Sequence, residues 1–392
     1  MAAFDRRKFL QASGLSLIPA MIPFTPAFSS ATLTGQFIPP DPAIKFFGDG
    51  EMFEPAAYLE QLNMANAKSP LEKDRYGHGG AVTALEKKFE EITGKEKAMF
   101  MPSGTMANQL AISVLSGSNT KVFVQETSHV FRDEGDAAQS VFQKRLVPLA
   151  KGETYFTAEA LQKAIESLDS EEVFKSGVGA VSVENPVRRS DGRMVPIEEI
   201  RKISLYCRNN NIKLHLDGAR IYMAAARTGI SIKEYAAYFD TIYISLYKYL
   251  GASAGAILCG PNTVMEKMEH LVKIHGGSMY GNWLNAAMAL HRLDGLETRL
   301  QDAYAMGEKV FAALNKIPGI RISPLDGGSN MFAMQLEVSI DAKKMHETLV
   351  KDFRILYPRP GANNQTLLSL NETILYRDAD YIMAAFKKSV TR

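Results

Sequence analysis

His215-Leu216-Asp217-Gly218-Ala219-Arg220 and Ser245-Leu246-Tyr247-Lys248-Tyr249-Leu250-Gly251 decide how this chain is read. The first closes an apolar strand, Lys213–Asp217, on an aspartate. The second sets a lysine at the end of another, Thr241–Ser245. Asp217 and Lys248 stand 31 residues apart, the length of one helix-plus-strand unit, so they occupy successive strand ends. Taken singly, Asp217 reads as a helix cap and Lys248 as an ordinary surface lysine. Together they call for a third element.

That element lies upstream. Lys97-Ala98-Met99-Phe100-Met101 reads as a buried strand, followed by Pro102-Ser103-Gly104-Thr105 and a helical run from Met106 to Leu115. Gly104 permits close backbone approach, and the N–H groups of a new helix point out of its end, a geometry that binds a phosphate dianion. Ser103 and Thr105 also fit the plainer role of N-caps. A phosphate cradle, an aspartate and a lysine at strand ends are what pyridoxal 5'-phosphate (PLP) requires. The lysine amine bonds the cofactor's aldehyde, and the aspartate keeps the pyridine nitrogen protonated so that the ring can draw electrons.

Ser103-Gly104-Thr105-Met106-Ala107-Asn108-Gln109, the stretch His215 to Tyr222, and Lys248 with Gly251 and Gly255 behind it resemble the low-specificity L-threonine aldolases. These belong to the aromatic β-eliminating lyase/threonine aldolase group of fold-type I PLP enzymes. The resemblance runs from about Ile44 to the C-terminus. It implies that His129, in Glu126-Thr127-Ser128-His129-Val130-Phe131, stacks on the pyridine ring and can act as a base. Glu134 matches an acidic position, where it would place a water or accept a proton; an exposed loop carboxylate is the alternative. Arg220, expected one turn into the helix after Asp217, would reach the cofactor's phenolic oxygen or a substrate carboxylate. His215 shares a strand face with Asp217 and is read as packing in the core. The glycine-rich turn at His275-Gly276-Gly277 resembles one that reaches a neighbouring subunit, which implies a homo-oligomer, a dimer or tetramer.

The chain departs from that pattern around the substrate. Phe47-Gly48-Asp49 stands where a serine precedes the aspartate, Pro186-Val187 where a threonine and histidine follow the strand, Tyr280 where an arginine follows a methionine, and Tyr247 where a serine precedes the lysine. Neither Gln365 nor Thr366 can replace a C-terminal arginine that clamps the substrate carboxylate. Arg132, Arg188 and Arg359 are candidates to supply the missing contact.

Around the motifs, helices alternate with apolar runs from Gly79 to about residue 290: helix 81–93 and strands at 98–101, 121–125, 179–185, 213–217, 241–245 and 255–258, with helix 197–209 between. This is an α/β fold, a mostly parallel sheet with flanking helices and ligands at the strand C-termini. One helical stretch follows, from Trp283 to about Asn315, and then short strands at 320–323, 331–337, 355–357 and 366–370, read as a small α+β domain. Four segments result: a leader at 1–31, an irregular N-terminal arm at 32–78, a large PLP-binding domain at 79–290, and a linking helix with a C-terminal domain at 291–392.

The leader is Asp5-Arg6-Arg7-Lys8-Phe9-Leu10-Gln11 followed by a mildly apolar run to Phe28, broken by Pro19, Pro23 and Pro26. This is a twin-arginine export pattern, with small residues at Ala27, Ser29 and Ala31 for cleavage, and it implies a periplasmic or other extracytoplasmic location. Its three basic residues less one acidic give +2, the net charge of the whole chain, so the remainder is close to neutral. That argues against nucleic-acid binding or electrostatic membrane attachment. Cys207 and Cys259 fall on a helix and a strand and are read as buried free thiols, a disulfide being the alternative. His78, His270, His275, His291 and His346 show no metal-ligand spacing, and no metal is expected. The function that follows is a PLP-dependent lyase cleaving the Cα–Cβ bond of a β-hydroxy-α-amino acid. The alternatives are β-elimination, racemisation or transamination on the same cofactor, or a non-catalytic PLP-fold binding protein.

Overall fold

The structure is a computed structural model and describes residues 38–39 and 41–390. The leader expected at 1–31 lies outside the described residues. In chain order the strands are Ile44–Lys45 (β1), Lys97–Met101 (β2), Lys121–Gln125 (β3), Arg145–Leu149 (β4), Val178–Glu184 (β5), Lys213–Asp217 (β6), Thr241–Ser245 (β7), Ala256–Gly260 (β8), Ile320–Pro324 (β9), Met331–Leu336 (β10), Ile355–Leu356 (β11) and Gln365–Ser369 (β12).

The main sheet runs β2-β8-β7-β6-β5-β3-β4. Only β8 opposes its neighbours; the other pairings are parallel. Alternation along each strand feeds two separate apolar cores. Val122, Val124, Ala180, Tyr243 and Leu258 pack with Ala107, Leu110 and Ala111 of helix Gly104–Ser116. Phe123, Val181, Val183, Ile242 and Ile257 face the other core, which continues to Phe386. With both faces covered, β3 and β7 are buried at every residue, which is why Val122–Val124 and Ile242–Ile244 do not alternate with polar residues.

Helix Gly80–Thr93 shows how an edge is closed. Ala81, Val82, Leu85 and Phe89 form its buried stripe, and Gly94, at φ 65°, ends it in the left-handed conformation. Two of its glutamates turn outward to β2, whose far edge has no strand neighbour among the described residues. Glu90 accepts the Ala98 N–H at 3.2 Å, and Glu86 accepts the Phe100 N–H at 2.9 Å. The unpaired ladder is thereby satisfied and withheld from other chains.

Three expectations change. The helical stretch from Trp283 is two helices, Trp283–Leu293 and Leu296–Leu314, divided where Gly295 takes φ 66°. The arm is not irregular throughout: Pro55–Lys68 is a helix, entered on Pro55, with a narrow buried stripe of Gln61, Leu62 and Ala65. Finally, β11 does not join the small sheet. It pairs in parallel with β1 of the arm, leaving β12-β10-β9 as a three-stranded antiparallel sheet.

Candidate active site

The parallel strands end together, and their last residues face one region. β5 ends on Glu184, β6 on Asp217, and the two are opposed in register. β3 ends on Gln125, four residues before His129; β7 ends three residues before Lys248.

Asp217 is buried, with 2% of its surface exposed. Its Oδ2 accepts from Asn108 Nδ2 at 2.9 Å and its Oδ1 from the Ala219 N–H at 3.2 Å. Among the described residues no lysine or arginine forms an ion pair with it. Lys248 is also buried, at 8% exposure. Its ammonium lies 3.4 Å from the Tyr247 hydroxyl and 4.7 Å from that ring's centroid, and no carboxylate pairs with it among the described residues. A buried anion without a cation and a buried cation without an anion are each costly alone.

Asn108 Nδ2 also donates to Glu134 Oε1 at 2.8 Å, and His129 Nδ1 bonds the same oxygen at 3.0 Å. Glu134 is therefore not an exposed loop carboxylate; it is buried behind His129. The Glu134 hydrogen bond raises the His129 pKa above its ordinary 6.5; burial opposes this, and Asp217 adds to it. The His129 N–H donates to Glu184 Oε2 at 2.6 Å, while Glu184 Oε1 accepts the Arg188 N–H at 2.8 Å. Burial, and next the Asp217 charge, push the Glu184 pKa up. His129, Glu134 and Asp217 offer polar atoms within 4.8 Å of one another, the crowding of a metal site. Asn108 and His129 already engage the carboxylates, so the cluster is a hydrogen-bonded network.

Ser103 caps helix Gly104–Ser116, its hydroxyl accepting the Met106 N–H at 3.2 Å. Gly104 is required for a reason the sequence did not supply: a Cβ there would lie 2.1 Å from the Tyr243 hydroxyl of β7. Thr105 follows in the first turn of the helix.

Arg220 differs most from expectation. It stands at the N-cap position, and the helix begins at Ile221. Its guanidinium is held by Asp49 in the arm, with Nε to Oδ1 at 2.6 Å and Nη2 to Oδ2 at 2.9 Å; Tyr249 donates to the same carboxylate at 3.2 Å. Two of its donor nitrogens are thus committed to the arm rather than to a ligand. The other candidate arginines are also engaged: Arg132 by Glu126, Arg188 by Asp133 and Arg359 by Glu347. Val187 is fully buried and does not line an open pocket. His215 is buried as expected, but in a polar setting, bonded to Thr241 and Asn108. Cys207 and Cys259 are buried and free.

A match to the beta-eliminating lyase family model spans residues 59–337. This chain belongs to the beta-eliminating lyase family. Among the lyase's relatives, the low-specificity L-threonine aldolase of Candida albicans is 36% identical over 58% of this chain and 60% of that one. Low-specificity L-threonine aldolase 1 of Arabidopsis thaliana is 26% identical over 84% of this chain and 93% of that one. The Leishmania major threonine aldolase structure shares the fold, at TM-score 0.67 and 19% identity over 88% of this chain and 98% of that one. The lyase's cofactor is PLP, and the donor set fits it. Asp217 would supply the counter-charge to a protonated ring nitrogen, Lys248 the amine for its aldehyde, and the helix start at Ser103-Gly104-Thr105 the donors for its phosphate.

Proposed function

We propose that this lyase breaks the Cα–Cβ bond of a β-hydroxy-α-amino acid, releasing glycine and an aldehyde. The observation that carries the reading is His129 backed by the buried Glu134 beside Asp217. When bound, PLP supplies a carbonyl that takes up the substrate amine and a ring that accepts the electron pair of a bond broken at Cα. Lys248 would hold the group until a substrate amine displaces it. Asp217 would stabilise a positive charge on the ring nitrogen. His129, fixed through both its ring and its backbone, accepts the β-hydroxyl proton, Glu134 stabilises the imidazolium that forms, and a proton is returned to Cα to complete glycine. Because Glu134 raises the His129 pKa, the neutral base is available only above that value, and activity rises with pH through a midpoint above 6.5.

The pocket favours a bulky side chain. Gly48 offers no hydroxyl; Tyr247, beside Lys248, is 44% exposed, and Tyr280, at the glycine-rich turn, is 65% exposed. Losing hydrogen bonds to a carboxylate costs ~1.5–3 kcal/mol each, which weighs most on a small polar substrate. Steady-state kinetics on L-threonine and phenylserine test this, with the higher kcat/KM expected for phenylserine. A preference for threonine would sink the pocket argument, and no turnover of either by cofactor-loaded protein would move the reading to another reaction at Cα.

Export through the leader at 1–31 belongs to the same proposal, since the twin-arginine route carries folded, cofactor-loaded proteins. Replacing Arg6 and Arg7 by Lys should leave the protein in the cytoplasm with its leader intact; unchanged export would reject this. No helix among the described residues is long and apolar enough to cross a membrane. Exposed Met52, Leu59, Met279 and Tyr280 suit contact with a second copy of the chain.

A further inference from the structure

Asn108 lies wholly buried in the second turn of helix Gly104–Ser116, and every polar atom of its side chain has a partner. Its amide nitrogen has two hydrogens and two acceptors, Glu134 Oε1 at 2.8 Å and Asp217 Oδ2 at 2.9 Å. Its carbonyl oxygen lies 2.9 Å from His215 Nε2, whose other nitrogen bonds Thr241 Oγ1 at 2.7 Å. Two carboxylates on one side dictate that the amide presents nitrogen to them and oxygen to His215. Burial pushes the His215 pKa down to about 4, so the ring is neutral and carries its proton on Nε2. An amide N–H donates more strongly to a carboxylate than to a neutral carboxyl, so each acid gains a donor that favours its charge.

We propose that Asn108 is the positioning residue that joins the carboxylate assigned to the cofactor's ring nitrogen, Asp217, to the carboxylate behind the base, Glu134, and gives each of them a buried N–H donor. It deepens the reading of the site given above and rests on it. Two carboxylates in one buried cluster ordinarily disfavour each other's charge, and one takes up a proton. The shared amide opposes that. The other titratable groups that act on the pair come from each element packed there: His129 from the loop after β3, Glu184 from β5, His215 from β6 and Tyr243 from β7. Of these only His129 can bring a positive charge near neutral pH, and it does so on the Glu134 side.

The test follows cofactor retention rather than turnover. Holoenzyme is passed through gel filtration at a series of falling pH values, bound PLP is measured by absorbance, and far-UV circular dichroism confirms the fold at each point. Cofactor should be lost on the acid side. In Asn108→Leu the carboxylates lose their shared donor, and the midpoint should move up by ~1 pH unit. Asn108→Asp keeps the volume but adds a third acid, and its midpoint should lie above the parent's as well. Should the leucine variant fail to fold, the aspartate variant decides. Midpoints that coincide with the parent's overturn the inference while leaving the site reading intact. A parent that retains no cofactor at any pH overturns the site reading and this inference together.

Discussion

Glu184 and Asp217 face each other in register across two parallel strands, and they use their carboxylates differently. Asp217 is held by side-chain and local backbone donors and has a charge to offer a ligand. Glu184 spends both oxygens on backbone N–H groups, those of His129 and Arg188. It therefore ties together the two loops that rise from β3 and β5, one of which carries the base.

From this, Glu184→Ala should leave the cofactor bound but free the His129 loop. Misplacing a catalytic group by an ångström costs up to ~100-fold, so a fall in kcat of ~10–100-fold is expected. The KM should change less. Parallel measurement of kcat, KM and the visible band of bound cofactor checks it; loss of the band would instead make Glu184 a cofactor support.

Lys248 is the second case of a residue whose cost shows where its use lies. In cofactor-free protein its buried ammonium has no anionic partner among the described residues. Lys248→Met keeps the length of the side chain and removes the charge, so the cofactor-free protein should gain ~1–2 kcal/mol of stability. The same variant should lose the visible band that borohydride fixes to the chain. Urea denaturation of cofactor-free protein, with borohydride treatment of the loaded form, tests both. A variant that still fixes cofactor would place the reactive lysine elsewhere.

How much of this was legible depended on whether a residue's partner was local. The strand ends at Asp217 and near Lys248 could be read because β6 and β7 are short, apolar and bounded by turns. The helix start at Ser103 could be read because capping is a local signature. Asn108 and Glu184 could not. A polar residue within a helix and an acid closing a buried strand look ordinary until the fold brings the acceptor or donor to them. The hint was present in Asn108, four residues after Gly104 and between the apolar Ala107 and Leu110, on a face that must be buried. The hold of Asp49 on Arg220 could not be read either, because the two lie 171 residues apart. The helix Pro55–Lys68 escaped because three buried residues make too thin a stripe, and the pairing of β11 with β1 because a two-residue strand carries no sign of its neighbour.

The edge of β2 carries a pH dependence of its own. Burial pushes the Glu86 pKa up to about 7, against the Phe100 N–H that it accepts. A carboxyl whose folded pKa lies above its unfolded value costs no stability below the unfolded value. It costs progressively more as pH rises from about 4.5 to about 7, because the unfolded chain ionises first. Glu86→Gln can still accept the Phe100 N–H and never ionises. It should match the parent near pH 4 and exceed it by ~1–2 kcal/mol at pH 8, a figure discounted for the residue's partial exposure. Thermal melts at the two pH values decide it, and a constant difference between them would show that the carboxyl's ionisation is not the cause.

Tyr247 bears on which substrate the site prefers. Its hydroxyl lies 3.4 Å from the Lys248 ammonium, its ring centroid 4.7 Å from it, and 44% of the residue is exposed. Any amino acid whose amine replaces that of Lys248 brings its side chain into the reach of this ring. An aromatic substituent gains an offset or edge contact there, whereas a methyl gains little. Tyr247→Ser should therefore lower kcat/KM for phenylserine and leave that for threonine nearly unchanged, shifting their ratio by ~10-fold, the scale of a single apolar contact in a specificity pocket. The variant also removes the hydroxyl near the amine, so the pH at which the bound cofactor's visible band titrates must be measured alongside. If that pH moves and the ratio does not, Tyr247 tunes the lysine and has no part in selecting the side chain.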